Sequence, residues 1–272
     1  MSNCKFLREL RYSFFFYTFT PCQTPNYINP CIMDELLYQW TDMLSAEIVP
    51  GKREVLMRFF KTAPGEYGEG DQFLGITVPS VRKVSKLMTE APLEAISRML
   101  DSEIHEHRLS ALLVLVERYQ RAKKNHGLKK QIADFYLSNT RSINNWDLVD
   151  LSAPKIIGNY VYETGDYELL YRLSRSSDLW EQRIAIVATY TLLCNGITEP
   201  TISISQSYLT HKHDLIHKAT GWMLREMGKR TDESLLTKFL DAHTRNMPRT
   251  MLRYAIEKLS PELRQYYLHL PR

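Results

Sequence analysis

Cysteine is scarce. Of four in 272 residues, Cys4, Cys22 and Cys31 precede the first clear amphipathic pattern, and only Cys194 lies inside the periodic body. That excludes a disulfide framework and a CxxC metal knuckle. Neither a GxGxxG nor a Walker-type run occurs, and the one glycine-rich stretch, residues 63–74, carries Glu66, Glu69 and Asp71, the wrong charge for cradling phosphate. No nucleotide cofactor is expected. No apolar run reaches the length of a membrane span. The aromatic stretch from Tyr12 to Thr20 follows Lys5, Arg8 and Arg11 but lacks a small-residue cleavage pattern, so it is not read as a signal peptide. Residues 1–32 are expected to be a disordered tail or an upstream start extension, and 33–272 a single domain.

Also missing is any sustained period-two alternation, the mark of strands. What is present from Asp34 onward is one helical pattern after another. Leu109, Leu112, Leu113 and Val116 stand at i, i+3, i+4 and i+7 and define one buried stripe. Asp178 with Glu181 forms a capping pair ahead of a helix that is apolar nearly all round (Ile184, Ile186, Val187, Leu192, Leu193), and Asn195-Gly196 supplies its stop. Turn signals separate helices of ordinary length, which favours antiparallel helix pairs. The expected fold is all-α, a right-handed superhelical solenoid of HEAT-like antiparallel helix pairs.

Within this pattern, Trp146 and Asp150 are four residues apart and share a helix face. Arg183 follows Trp146 by 37 residues, and Trp222 follows Arg183 by 39. Those intervals approach one HEAT-type repeat of roughly 40 to 47 residues. Side chains so spaced emerge at equivalent places on successive repeats, so Trp146, Asp150, Arg183 and Trp222 are expected to line one concave cleft. Alone, Asp150 is a cap or an ion-pair partner and the indoles are core aromatics. Their co-occurrence at repeat spacing, with Asp150 set in an apolar run where an unused carboxylate is costly, marks the group.

Formal net charge is only +4, which permits an anionic partner without requiring one. Its distribution is uneven: eleven Lys/Arg against seven acids lie between His211 and Arg264. Among them Lys218, Arg225, Arg249 and Arg253 are expected to form a phosphate-binding rim, the alternative being a solvated face. His213 and His217 have the i, i+4 spacing of a helical zinc site, with Asp214 between them. A third ligand is not evident, so they are read as a surface pair and no metal is expected.

The blocks Asn145–Asp150, Leu179–Ile186 and Lys218–Glu226, together with Phe73–Ile76, Pro79, Arg82 and the run Arg249–Lys258, resemble the AlkD-type DNA alkylation repair family, HEAT-like repeat alkylpurine DNA glycosylases. The resemblance spans about residues 50–260. It implies a concave face gripping duplex DNA, with Asp150 as catalytic carboxylate, Trp146 and Trp222 beside the lesion, and Arg183 in the same cleft. The implied activity is hydrolysis of the N-glycosidic bond of cationic N3- or N7-alkylated purines, monofunctional and without base flipping. It further implies no cofactor, a monomer, and a cytoplasmic location, nucleoid-associated when bound to DNA. The alternative is a non-catalytic HEAT-like module binding damaged or branched DNA. Two departures are visible: Phe59 stands where the family often has a tyrosine, and the loop from Pro64 to Gly70 is longer than in compact members.

Overall fold

The computed structural model describes residues 30–271, and the account below concerns the unit Leu36–Arg272. The expectation for the first 32 residues lies outside the described residues as far as position 29; residues 30–32 stand in the opening turn of a helix. Helix is the only extended regular structure among the described residues, which hold a single isolated bridge between Gln72 and Ile104 and no strand. None of these helices is long and apolar enough to cross a membrane.

In chain order the α-helices are α1 (Pro30–Ser45), α2 (Lys52–Phe59), α3 (Val78–Leu87), α4 (Leu93–Leu100), α5 (His105–Arg121), α6 (His126–Ser138), α7 (Trp146–Ser152), α8 (Asn159–Thr164), α9 (Tyr167–Ser174), α10 (Leu179–Cys194), α11 (Glu199–Ser207), α12 (Asp214–Arg230), α13 (Glu233–His243), α14 (Arg249–Ala255) and α15 (Pro261–His269). Five of them, α5, α7, α10, α12 and α14, form a row in which each touches the next. The intervening helices pack on that row, so the arrangement is solenoid-like. Because the row runs through the helices that carry His105, Trp146, Arg183 and Trp222, it brings residues far apart in sequence onto adjacent helices.

Local chemistry sets the boundaries. The Asp178 carboxylate accepts from the amides of Trp180 and Glu181 at 2.8 and 3.0 Å, satisfying orphan donors at the start of α10. Only half of the expected capping pair forms, since the Glu181 carboxylate instead accepts from the Thr140 hydroxyl at 2.8 Å. Helix α10 is interior as its composition dictates, and Trp180 belongs to the core rather than to a cleft. After α7 the chain continues through a wide turn, Pro154–Gly158, in which the Gly158 amide reaches back five residues to the Ala153 carbonyl at 2.8 Å. Proline inside a helix lacks a donor and displaces the ladder, and a π-type turn absorbs the displacement. Apart from Lys155, this segment and the end of α7 are buried.

Helix α12 lies very close to α14 at Gly221. A Cβ there would stand 2.4 Å from the Met251 carbonyl oxygen and 2.6 Å from the Tyr254 Cβ. Gly221→Ala should therefore force the two helices apart and displace the neighbouring Trp222. We expect a loss of about 1–3 kcal/mol, the usual range for overpacking, read as a lower midpoint in denaturant at unchanged slope.

Candidate active site

The N-terminal ends of α7, α10 and α12 face a common cleft of about 550 Å³. Asp150, on the second turn of α7, contributes its carboxylate. The guanidinium of Arg183 grips it in bidentate fashion, Nε to Oδ1 at 3.0 Å and Nη2 to Oδ2 at 2.8 Å. The remaining Nη1 of Arg183 donates to the Leu215 carbonyl at 2.6 Å, tying the pair to the start of α12. Arg183 is almost fully buried, whereas 20% of the Asp150 side chain remains open to the cleft. Burial pushes the Asp150 carboxyl above the ordinary carboxylate range, with nearby Asp147 adding to the rise and Arg183 opposing it. The carboxylate is thus fixed in direction and poorly solvated.

Aromatic surface flanks it on both sides. Trp146 stacks on Phe60 at 5.3 Å between ring centroids and meets Phe59 edge-on at 5.8 Å. Trp222 lies across the cleft beside Tyr190, at 6.2 Å. The Tyr190 ring in turn carries the Arg230 guanidinium 4.6 Å from its centroid. Trp146, Asp150, Arg183 and Trp222 all line the one cleft, together with Phe59 and Tyr67.

Tyr67 was not visible in the sequence as a site residue. It comes from the glycine-rich loop, which folds back on itself where the Gly68 amide donates to the Lys61 carbonyl at 3.1 Å. A Cβ at Gly68 would stand 2.3 Å from the Phe60 carbonyl oxygen, so only glycine permits the return. The loop acids Glu66 and Glu69 are spent on the loop's own amides, those of Ala63 and Gly65, at 3.3 and 2.8 Å. Burial pushes the Tyr67 hydroxyl pKa up, opposed by its contact with Trp146 and by the Lys218 charge. A phenol beside Trp146 thus stands in the cleft even though Phe59 offers none.

Behind Trp146 lies a buried ionic network. His105 bridges two carboxylates, Nδ1 to Asp71 at 3.2 Å and Nε2 to Asp147 at 2.9 Å. Asp71 also accepts from Asn145 at 2.8 Å and pairs with Arg108. Phe60 and Phe73 pack against the imidazole, at 5.0 and 4.5 Å between ring centroids. Although burial lowers the His105 pKa, the two carboxylates outweigh it and push it up to about 9. A histidine whose folded pKa exceeds its unfolded 6.5 adds stability that is complete below pH 6.5 and lost as pH rises through 9. We expect the unfolding temperature to fall across that window, and His105→Gln to flatten the fall.

The basic residues divide. Lys218 and Arg225 line the cleft, paired respectively with Asp214 at 2.8 Å and with Glu257. Arg249 and Arg253 do not line it; Arg253 is exposed on α14, and Arg249 donates to the Leu268 carbonyl at 3.0 Å, which ties down α15. The two histidines serve the backbone: His213 accepts from the Leu215 amide as the N-cap of α12, and His217 Nε2 engages the His211 carbonyl at 2.6 Å. Among the described residues no cluster of metal-ligating side chains forms.

A family model of the DNA alkylation repair enzyme matches residues 41–259, four-fifths of the chain and the whole row of helices. The chain belongs to the DNA alkylation repair enzyme family. That membership supports a role in DNA repair and points to DNA as the partner. A solved structure described as a predicted DNA alkylation repair enzyme from Enterococcus faecalis shares the fold, with TM-score 0.61 and 16% identity over 79% of this chain and 98% of that one. No curated protein matches the chain. The cleft of this DNA alkylation repair family member is built entirely within the matched segment.

Proposed function

We propose that the chain is a monofunctional DNA glycosylase that hydrolyses the N-glycosidic bond of cationic N3- or N7-alkylated purines in duplex DNA. The observation that carries this reading is the oriented Asp150 carboxylate, held by Arg183 at 2.8 and 3.0 Å and flanked by indoles. An alkylated purine already bears positive charge and leaves without an acid. What hydrolysis still requires is charge stabilisation of an oxocarbenium-like sugar and an oriented water, the work a carboxylate does in glycoside hydrolysis. Asp150 supplies both. Trp146, Trp222 and Phe59 offer π-faces to the cationic sugar and base, each contact contributing about 0.5–2 kcal/mol. Arg183 cannot exchange protons at neutral pH and engages Asp150 and Leu215 through all three of its nitrogens, so it holds Asp150 in position rather than acting as an acid.

The cleft lysine nearest the α12 start is unsuited to imine chemistry. Its hydrogen bond to Asp214 raises the Lys218 pKa and keeps the amine protonated. Lys61 also lines the cleft, so that the strand is left uncut at an abasic site is a part of this reading that rests on the family resemblance. Lys218, Arg225 and Arg253 position the duplex through phosphate contacts, with Arg249 in a supporting place on the same helix as Arg253. Superhelical curvature, action on a lesion still stacked in the duplex, and a monomeric state are part of this reading and rest on the family resemblance.

An Asp–Arg ion pair is also what a purely structural carboxylate makes, and that observation supports a second reading, a module that binds damaged or branched DNA without excision. Incubation with methylated duplex DNA separates the two. The glycosylase releases free 7-methylguanine and 3-methyladenine and leaves strands continuous until alkali is added. Binding without any released base would establish the module instead.

A further inference from the structure

His105 is buried behind Trp146, its side chain only 2% exposed, with Nδ1 on Asp71 at 3.2 Å and Nε2 on Asp147 at 2.9 Å. Because Asp71 also pairs with Arg108, two carboxylates meet two cations here, and the network is neutral only while His105 is protonated. The network grips the start of α7 at two points. Asn145, whose side-chain oxygen accepts from the Trp146 amide at 2.8 Å, donates to Asp71 at 2.8 Å, and Asp147 is held by His105. Trp146 stands between these two anchors, and Asp150 follows within the next turn of the same helix.

Asp147 has little other support, for its Oδ1 is buried without a hydrogen-bond partner. A carboxylate with one oxygen stranded is costly to hold, and its cation is what offsets the cost. The Asp147 charge is also felt at Asp150, where it opposes ionisation from three residues earlier on the same helix. Other elements present further groups to Asp150. Arg183 of α10 favours its charge, and Tyr136 of α6 is a phenol that burial keeps neutral. Lys218 and His213 line the cleft from the start of α12; Asp214 holds the first protonated, and burial favours the neutral form of the second.

We propose that His105 is a positioning residue of the excision site: its buried positive charge anchors Asp147 and offsets the Asp147 carboxylate, so that Asp150 stays ionised for the reaction. This rests on the reading of Asp150 as the reacting carboxylate. The two members of the pair act on Asp150 with opposite signs. Removing the His105 charge leaves Asp147 uncompensated and disfavours the Asp150 carboxylate, whereas removing the Asp147 charge favours it. A contact that only holds the fold together predicts no such opposition.

The test is the pH–rate profile of 7-methylguanine release under single-turnover conditions for wild type, His105→Gln, Asp147→Asn and the double variant. His105→Gln should move the acid limb up by about one pH unit and Asp147→Asn should move it down by about as much, the size of shift that a neighbouring charge produces. The double variant should fall between the two. The carboxyl carbon resonance of Asp150, identified by its loss in Asp150→Asn, reads the same titration without catalysis. Limbs and titrations that stay in place, or that move in one direction in both single variants, would overturn the proposal. Should His105→Gln fail to fold, Asp147→Asn carries the test alone: the Asp150 titration should fall and the His105 imidazole titration should fall with it, and an unmoved imidazole would overturn the pairing. Wild type that releases no 7-methylguanine would instead overturn the reading of the cleft, and the carboxyl titrations would still decide whether His105 and Asp147 set the charge of Asp150.

Discussion

Asp150→Asn should release 7-methylguanine on the order of a hundredfold or more slowly than wild type, the usual loss when one preorganised electrostatic stabiliser is removed. Asparagine preserves the shape and one acceptor toward Arg183, yet it carries no charge to set against the developing sugar cation. Duplex affinity should stay near wild type, because the substitution removes no cation from the DNA-facing surface. The loss should be smaller for 3-methyladenine, whose bond breaks more readily unaided. Comparing release rates at saturating protein with binding measured on the same samples checks all three statements. The pH dependence follows from the same carboxylate. Since burial holds its pKa above the ordinary range, wild-type activity should fall as pH drops through that raised value, and the acid limb should vanish in Asp150→Asn.

Arg183→Ala should have the second large effect, on both stability and rate. Its guanidinium is nearly inaccessible and makes hydrogen bonds to both Asp150 oxygens and to the Leu215 carbonyl, so truncation strands a poorly solvated carboxylate and an unpaired carbonyl. Breaking such a pair costs about 3–5 kcal/mol when both partners are buried, and the open fifth of Asp150 places the expected loss toward the lower end. Without the arginine the carboxyl pKa rises further and the acid limb of the rate profile shifts to higher pH. Denaturant unfolding and a pH–rate profile read the two consequences separately. A variant as stable as wild type with an unshifted profile would show that Arg183 neither supports nor tunes Asp150.

Most of the main cleft was legible in the sequence, because it is written in repeat spacing. Helices stacked in a row present equivalent positions on adjacent members, so intervals of 37 and 39 residues were enough to group Trp146, Arg183 and Trp222, with Asp150 one turn from the first. The interior character of α10 followed from its composition, whereas α5, expected to bury a single stripe, is buried on all sides from His105 to Val116. What the pattern did not show depends on partners outside it. The Asp71–His105–Asp147 network joins a loop to two helices across 34 and 42 residues, and no periodic signal links them. Glu106 likewise lies fully inside the protein, its carboxylate accepting from the amides of Leu74, Gly75 and Ile76 at 2.9, 2.8 and 3.1 Å. Tyr67 reaches the cleft only because Gly68 allows the loop to return. The basic cluster of the last fifth, treated as one rim in the sequence, divides because Arg249 is drawn to the end of α15.

The most direct test of the central claim is a single-turnover reaction on a duplex bearing one 7-methylguanine at a known position, with excess wild-type protein and an end-labelled lesion strand. The account predicts free 7-methylguanine accumulating with first-order kinetics, the labelled strand full-length on a denaturing gel and cleaved at the lesion position only after alkali. Saturated binding of that duplex with no base released above the rate of spontaneous depurination would contradict it.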